Sequence, residues 1–342
     1  MRFLVIGLGS MGKRRIRCLK ALGQTGIYGF DPRKDRRGEA EQRYGVKTFA
    51  DIHEAIKAAR PDAFLICAPP DAHHIYMKEA VAAKTPFFVE ASVVDTGLDE
   101  IKRQTVAAGI VAAPSATLYF HPAIKTVSEI VASGRLGKVS NVILHSGQYL
   151  PDWHTYERVS DYYVSNPATG GGREIVPFEL TWLTKVFGFP GRVCANFRKT
   201  ISIEGAEAID DTYNCLLDYG GFLASVTVDV VSRRAVRRLL VNGSEGQLLW
   251  DWDVNCVKVY DPAKAAWVEH GYEMKGAEAG YNANIGENMY IDEVAAFIDA
   301  VSGKTPFPNT LEDDHKVLKL LYAIEESDRS SAFVRFDEKT GV

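Results

Sequence analysis

The chain has no apolar run near the ~18 residues a membrane-spanning helix needs, no internal repeat and no low-complexity tract. Nor has it a surplus of either charge. A net charge of -4 over 342 residues gives no general attraction to nucleic acid or to an anionic membrane. Cysteine is sparse: Cys18, Cys67, Cys194, Cys215 and Cys256 stand apart, with no C-x-x-C pair. That removes the common zinc and dithiol motifs and leaves no candidate metal site. Most of the five lie in apolar runs, so buried reduced thiols in a cytoplasmic protein are expected. Met1 leads directly into a strand-like run, so no cleaved leader is expected. Histidine is scarce as well, and none lies between His154 and His270.

What is present is a glycine turn in a telling context. An apolar run from Phe3 to Ile6 leads into Gly7-Leu8-Gly9-Ser10-Met11-Gly12, then a basic helix, then a strand that ends at Asp31. Gly7 can take a positive φ, Gly9 puts no side chain between backbone and pyrophosphate, and Gly12 lets the helix pack close to the sheet. The helix N-terminus offers its N–H groups to the phosphates. Asp31 follows Gly12 by 19 residues, where a carboxylate accepts ribose hydroxyls and repels a 2′-phosphate. NAD is the expected cofactor. NADP is the lesser expectation, because Arg33, Arg36 and Arg37 follow closely and can bind a phosphate.

Strand and helix signals then alternate. Val46 to Phe49 reads as a strand, Asp51 as the cap of a helix through Arg60, and Ala63 to Cys67 as a strand buried on both faces. The strand stops at Ala68-Pro69-Pro70, and a helix runs from about His73 to Ala83. Pro86 to Glu90, a helix from Leu98 to Ala108 and a strand from Gly109 to Ala113 complete a doubly wound parallel sheet, the α/β Rossmann domain assigned to residues 1–118. Gly7, Asp31, Cys67 to Pro70, Glu90 to Ser92 and Ser115 to Thr117 are expected at the carboxyl ends of its strands, where ligands bind.

Residues 119–342 read as an α+β domain for substrate binding and oligomerisation. A helix after His121-Pro122 precedes a long strand, Val139 to Tyr149. Further strands are expected at Arg192 to Ile203, Ala208 to Leu217, Phe222 to Val230, Arg237 to Val241, Gly246 to Trp250 and Val257 to Tyr260. One helix, Glu179 to Phe187, interrupts them, and helices at Asn288 to Val301 and Leu311 to Glu326 close the chain. The result is a large, mainly antiparallel open sheet with helices on one face. Its other face calls for a second subunit, in a homodimer or homotetramer.

The glycine turn, Cys67-Ala68-Pro69-Pro70 with His73, the strand ending at Glu90, and Gly170-Gly171-Gly172 together resemble the Gfo/Idh/MocA oxidoreductases. Gln148 to His154 and Asn288-Met289-Tyr290 resemble a subgroup tied to bacterial surface sugars. The resemblance implies a nicotinamide-dependent reaction at a hydroxyl- or keto-bearing carbon of a sugar or nucleotide-sugar. It also implies a lysine in a Glu-Lys-Pro motif and a histidine on the interrupting helix. This chain has Glu90-Ala91-Ser92 and Phe178-Glu179-Leu180-Thr181 instead.

Other residues must then carry acid-base chemistry, and His154, Tyr119 and Tyr163 are the candidates. Each has a plain alternative: a cofactor contact or structural role for His154, packing for Tyr119. His121 reads as packing or a helix cap. Trp153, Tyr156, Tyr162, Phe178 and Glu179 are candidate substrate contacts, aromatic faces suiting a sugar ring. Glu174 and Glu179 also favour the helix dipole at the helix start. His73 reads as orienting the cofactor loop, and Glu90 and Ala91 as lying beside the nicotinamide. Arg233, Arg234, Arg237 and Arg238 read as a solvated sheet edge, with a subunit contact or a phosphate-bearing substrate behind it. Three functions stay open: a sugar oxidoreductase with a non-standard acid-base set, a cofactor-binding homologue without turnover, and an NAD-retaining epimerase or lyase.

Overall fold

The computed structural model describes residues 1–154, 156–274 and 286–337. It divides into two compact units, 1–117 with 289–315, and 118–288 with 316–342. The elements run in chain order as β1 Arg2–Ile6, α1 Ser10–Ala21, β2 Gly26–Phe30, α2 Lys34–Tyr44, β3 Lys47–Phe49, α3 Ile52–Ala59, β4 Ala63–Ile66, α4 His73–Ala82, β5 Phe87–Val89, α5 Leu98–Ala108 and β6 Ala112–Pro114. These six strands form one all-parallel sheet in the order β3-β2-β1-β4-β5-β6. Strands β1 and β4 are wholly apolar and buried from Phe3 to Ile6 and from Ala63 to Ile66, as strands covered by helices on both faces must be. The strand order reverses between β1 and β4, and both feed loops at their carboxyl ends, Gly7 from one and Cys67 from the other.

The second stretch contains α6 Pro122–Ala132, β7 Val139–Tyr149, α7 Gly172–Phe187, β8 Arg192–Arg198, β9 Thr212–Asp218, β10 Leu223–Asp229, β11 Val231–Gly243, β12 Gln247–Asp251, β13 Cys256–Asp261, β14 Ala266–Gly271, α8 Asn288–Val301, α9 Leu311–Ser330 and β15 Val334–Arg335. Its nine strands order as β14-β13-β12-β11-β7-β10-β9-β8-β15. All pairs are antiparallel except β7 with β10. One face is apolar and buried through Val142, Leu144, Tyr213, Cys215, Ala224, Val226, Leu239 and Val241.

Several expected boundaries move. The strand expected through Ile203 stops at Arg198, because the Asp211 carboxylate takes the N–H groups of Thr200 and Ile201. The interrupting helix starts seven residues earlier than Glu179, at Gly172, with Pro177 inside it. Its start is fixed by close approach. A Cβ on Gly170 would fall 2.1 Å from the Val164 carbonyl oxygen, and one on Gly171, at φ +68°, 2.7 Å from that of Asp210. Strands β14 and β15 carry no strand signal: β14 is largely exposed and β15 spans two residues.

Residues 289–315 group with the first unit rather than the second. The cause is a buried ion cluster. Arg15 Nη2 meets Glu293 Oε2 at 2.8 Å and Arg15 Nε meets Glu90 Oε1 at 2.6 Å. Glu293 also accepts from Ser115 Oγ, the Ala116 N–H and Thr117 Oγ1. Phe88 packs against Phe297 and Phe307. All five cysteines are free thiols, and no described helix is long and apolar enough to cross a membrane.

Candidate functional site

At Gly7 and Gly12 the glycine turn is built by contacts that leave no room for a side chain. Gly7 has φ +87°, and a Cβ on Gly12 would stand 1.8 Å from the Gly7 carbonyl oxygen. A Cβ on Gly9 would meet only the guanidinium of Arg36, at 3.3 Å. Helix α1 starts at Ser10 with no side-chain cap and no acidic residue in its first turn, where Ser10, Met11 and Gly12 present their backbone. A helix N-terminus with glycine backbone beside it is suited to cradle an anion.

Asp31 is buried at the end of β2. Its carboxylate accepts from the Leu8 N–H at 2.8 Å and from the Arg33 N–H at 2.8 Å. It therefore shapes the turn, with lone pairs remaining on both oxygens. Arg33 itself pairs with Asp35, and Arg37 donates to the carbonyls of Asp31 and Pro32.

After β4, Cys67, Ala68, Pro69 and Pro70 turn into α4, and His73 fastens that loop: its Nε2 lies 2.9 Å from the Ala68 carbonyl. Burial pushes the His73 ring down to about 4, so it holds the loop as a neutral group. Glu90, expected beside the nicotinamide, is tied to Arg15. Both its oxygens are taken by Arg15, while Ala91 beside it is half-buried and carries no polar group.

In the second unit the structure brings four of the predicted residues together. The His154 ring stacks on Tyr156, with centroids 5.3 Å apart, and lies 4.7 Å from Tyr162, whose ring meets Tyr163 edge-on. Trp153 is in the same segment, and its Nε1 is buried without a hydrogen-bond partner among the described residues, as is the Tyr162 hydroxyl. Tyr163 Oη donates to Glu174 Oε1 at 2.6 Å. Glu174 Oε2 is likewise out of contact with water and unpartnered among the described residues. Burial pushes the Glu174 carboxyl up to about 7, against the pull of the Tyr163 hydrogen bond. Burial, with the Glu174 and Glu157 charges behind it, also raises the Tyr162 phenol.

Sequence reasoning weighed Glu174 as an acid at the helix start, favoured by the dipole, and did not pair it with Tyr163. The signal was a tyrosine-rich segment followed by an acid in the first turn of a glycine-anchored helix.

Other candidates resolve differently. Glu179 is fully buried, its Oε1 accepting from Ser146 and Arg237 and its Oε2 from Trp182. A carboxylate so saturated faces no substrate. Phe178, one position before it, is half-buried on α7. Tyr119 packs edge-on against Phe120. His121 caps α6 through Nδ1 and the Ala123 N–H, between the rings of Trp250 and Tyr272. Burial, with Arg237 and Lys125 adding to it, pushes His121 down to about 3.

The four arginines do not act as a cluster either. Arg237 is buried on Glu179, Arg233 lies over Tyr149, and Arg234 and Arg238 pair with Asp253 and Asp251. The described residues contain no group of three or more metal-ligating side chains placed to hold an ion.

The family model for the NAD-binding Rossmann fold of an oxidoreductase family matches residues 1–109, and the model for the GFO/IDH/MocA C-terminal domain matches residues 124–249. The chain belongs to the Gfo/Idh/MocA family. It is an NAD-binding oxidoreductase of that family, and the glycine cradle and Asp31 fit the dinucleotide.

An uncharacterized oxidoreductase of Escherichia coli K12, YhhX, is 22% identical over 202 residues. That match spans 58% of this chain and 56% of YhhX. Among solved structures, a probable dehydrogenase from Thermotoga maritima matches at 22% identity with a TM-score of 0.80, over 98% of this chain and 99% of that one. Levoglucosan dehydrogenase in complex with NADH and levoglucosan matches at 16% identity and a TM-score of 0.84, over 98% and 99%. GenD2 from gentamicin A biosynthesis, in complex with NAD, matches at 18% and 0.79, over 98% and 96%. These similarities establish a shared fold.

Proposed function

We propose that this protein oxidises or reduces a hydroxyl- or keto-bearing carbon of a sugar or nucleotide-sugar derivative, using an acid-base set other than the family's lysine and histidine. The observation that carries the reading is the cluster of His154, Tyr156 and Tyr162 rings with Tyr163 behind them. Aromatic faces take the apolar faces of a sugar, and their polar edges take its hydroxyls. The Trp153 Nε1 and the Tyr162 hydroxyl, buried and unpartnered among the described residues, are the kind of groups a bound polyol satisfies. Levoglucosan dehydrogenase, a fold relative solved with levoglucosan and with L-sorbose, supports a sugar-like ligand.

The cofactor, when bound, supplies the hydride acceptor or donor. The chain holds it with the Gly7–Gly12 turn, Asp31 and the loop that His73 fastens. Tyr163 and His154 then hold or move the proton of the reacting hydroxyl, and Tyr119 is left with packing. The five free thiols support a reducing compartment, the cytoplasm.

A second reading, a homologue that binds NAD without turnover, is favoured by one observation. Ala91 offers no proton, and the neighbouring Glu90 is committed to Arg15. The two separate by titrating the protein with NADH, following energy transfer from tryptophan, and then screening sugars and nucleotide-sugars for a change in NADH absorbance. Binding with turnover on at least one sugar is expected. Binding without turnover across the panel would favour the second reading.

A further inference from the structure

We propose that Glu174 and Tyr163 form a proton-relay pair that replaces the family's lysine: Tyr163 exchanges a proton with the reacting hydroxyl, and Glu174 stores it. This rests on the sugar-oxidoreductase reading above. Three features of the geometry carry it. The phenol donates to Glu174 Oε1 at 2.6 Å, a length suited to O–H···O⁻ transfer. Glu174 Oε2 accepts no second hydrogen bond among the described residues, so the ionised carboxylate has Tyr163 and the helix dipole to set against its burial. The pair adjoins the aromatic cluster through the Tyr162–Tyr163 ring contact.

In the oxidation direction the substrate O–H bond breaks and its proton passes to Tyr163 Oη. The proton of Tyr163 moves along the hydrogen bond to Glu174 Oε1. The substrate oxygen keeps the electron pair of the broken bond; the nicotinamide, when bound, would supply the hydride acceptor that lets this oxygen become a carbonyl. Tyrosine ends as a neutral phenol and Glu174 as a carboxylic acid, which releases its proton by the reverse route after the product leaves. No phenolate accumulates, so no cation is needed beside Tyr163. A positively charged lysine, which otherwise steadies such an anion, becomes dispensable.

Burial holds the Glu174 carboxyl near 7, so both forms are populated at neutral pH, as a group serving both directions requires. Oxidation needs the carboxylate and should rise with pH through about 7; reduction needs the acid and should fall. Among the described residues, the ionisable groups of the tyrosine-rich segment near this end of α7 are Tyr163, Tyr162 with Glu157, and His154 against Tyr162. Arg173 on the helix itself is held by Glu325 of α9 at 2.6 Å. Asp210 accepts the Gly172 N–H through its carbonyl, and Tyr213 packs on Gly172. Since His154 also carries a titratable ring, the assignment needs a variant.

The test uses the full chain, with Glu174→Gln and Tyr163→Phe checked for native melting. Carbon-13 NMR of labelled glutamate carboxyls, without cofactor or sugar, should show one resonance titrating near 7 that disappears in Glu174→Gln and moves in Tyr163→Phe. In sugar oxidation both variants should lose about 100-fold or more in kcat and the pH limb near 7, with NADH affinity retained. No glutamate titrating in that range, or a Glu174→Gln enzyme with the wild-type rate and pH limb, overturns the relay alone. A wild type that binds NADH yet turns over no sugar overturns the functional reading and the relay with it.

Discussion

Glu179 and Glu174 lie five residues apart on one helix, yet their surroundings give them opposite chemistry. Glu179 receives the hydroxyl of Ser146, the guanidinium of Arg237 and the indole of Trp182, so its charge is fully compensated. Glu174 receives a single phenol and is left to its burial. From sequence alone both were acids near a helix start, and nothing local distinguished the saturated one from the one left with a single partner. Ser146 and Arg237, supplied to Glu179 by distant strands, make the difference, and no local pattern encodes them.

Glu293 drew no reading from the sequence, although it interrupts the apolar stripe of Met289, Tyr290, Val294 and Phe297. Removing Glu179 tests its assignment. Glu179→Ala leaves Arg237 charged and buried, and urea unfolding should report a loss of about 3–5 kcal/mol. The double variant Glu179→Leu with Arg237→Met should recover much of it. A stable Glu179→Ala protein with only a raised KM would return Glu179 to the substrate site.

Elements were legible where local chemistry and packing agree. Helix α5, strand β7 and helix α8 have the bounds expected of them. Helix α7 did not, because Pro177 signals a break that tertiary contact overrides: Gly170, Gly171 and Gly172 are seated against Val164, Asp210 and Tyr213. Strand β11 likewise begins early, at Val231, with an irregularity before Val236 that no apolar alternation announces.

Turn and helix agree most tightly at α1, where the Gly7 carbonyl occupies the space a Gly12 side chain would need. Gly12→Ala must push the helix from the turn. Overpacking of about 1–3 kcal/mol passed to the cradle corresponds to roughly 5- to 150-fold in affinity. NADH titration should show that weakening, and unchanged affinity would mean that the cradle does not hold the phosphates.

At the scale of the whole molecule, the doubly wound sheet and the open antiparallel sheet were both legible from alternation and turn signals. The grouping of 289–315 with the first unit was not, since Glu293 and Arg15 are 278 residues apart in sequence. The open sheet leaves one matter for experiment. Its helix-free face carries a row across five strands, Leu249, Leu240, Ile143, Ser225 and Leu216, each paired to the next.

In that row Leu249, Ile143 and Leu216 are 36%, 47% and 51% exposed. Beside it runs a polar row in which Asn242 bonds Asn141 and Gln247 bonds Asn242. A groove of about 690 Å³ adds Trp267, Arg238 and His145 to the same face. Apolar centre with polar border is the anatomy of an interface, and an isologous dimer covers such a face with its own copy. The protein is therefore expected to be a homodimer or homotetramer. Ile143→Arg, placing a charge in the middle of the row, should reduce the mass found by light scattering to the 37.8 kDa of one chain, with NADH binding retained. A wild type already at that mass would show that a second copy does not cover the sheet.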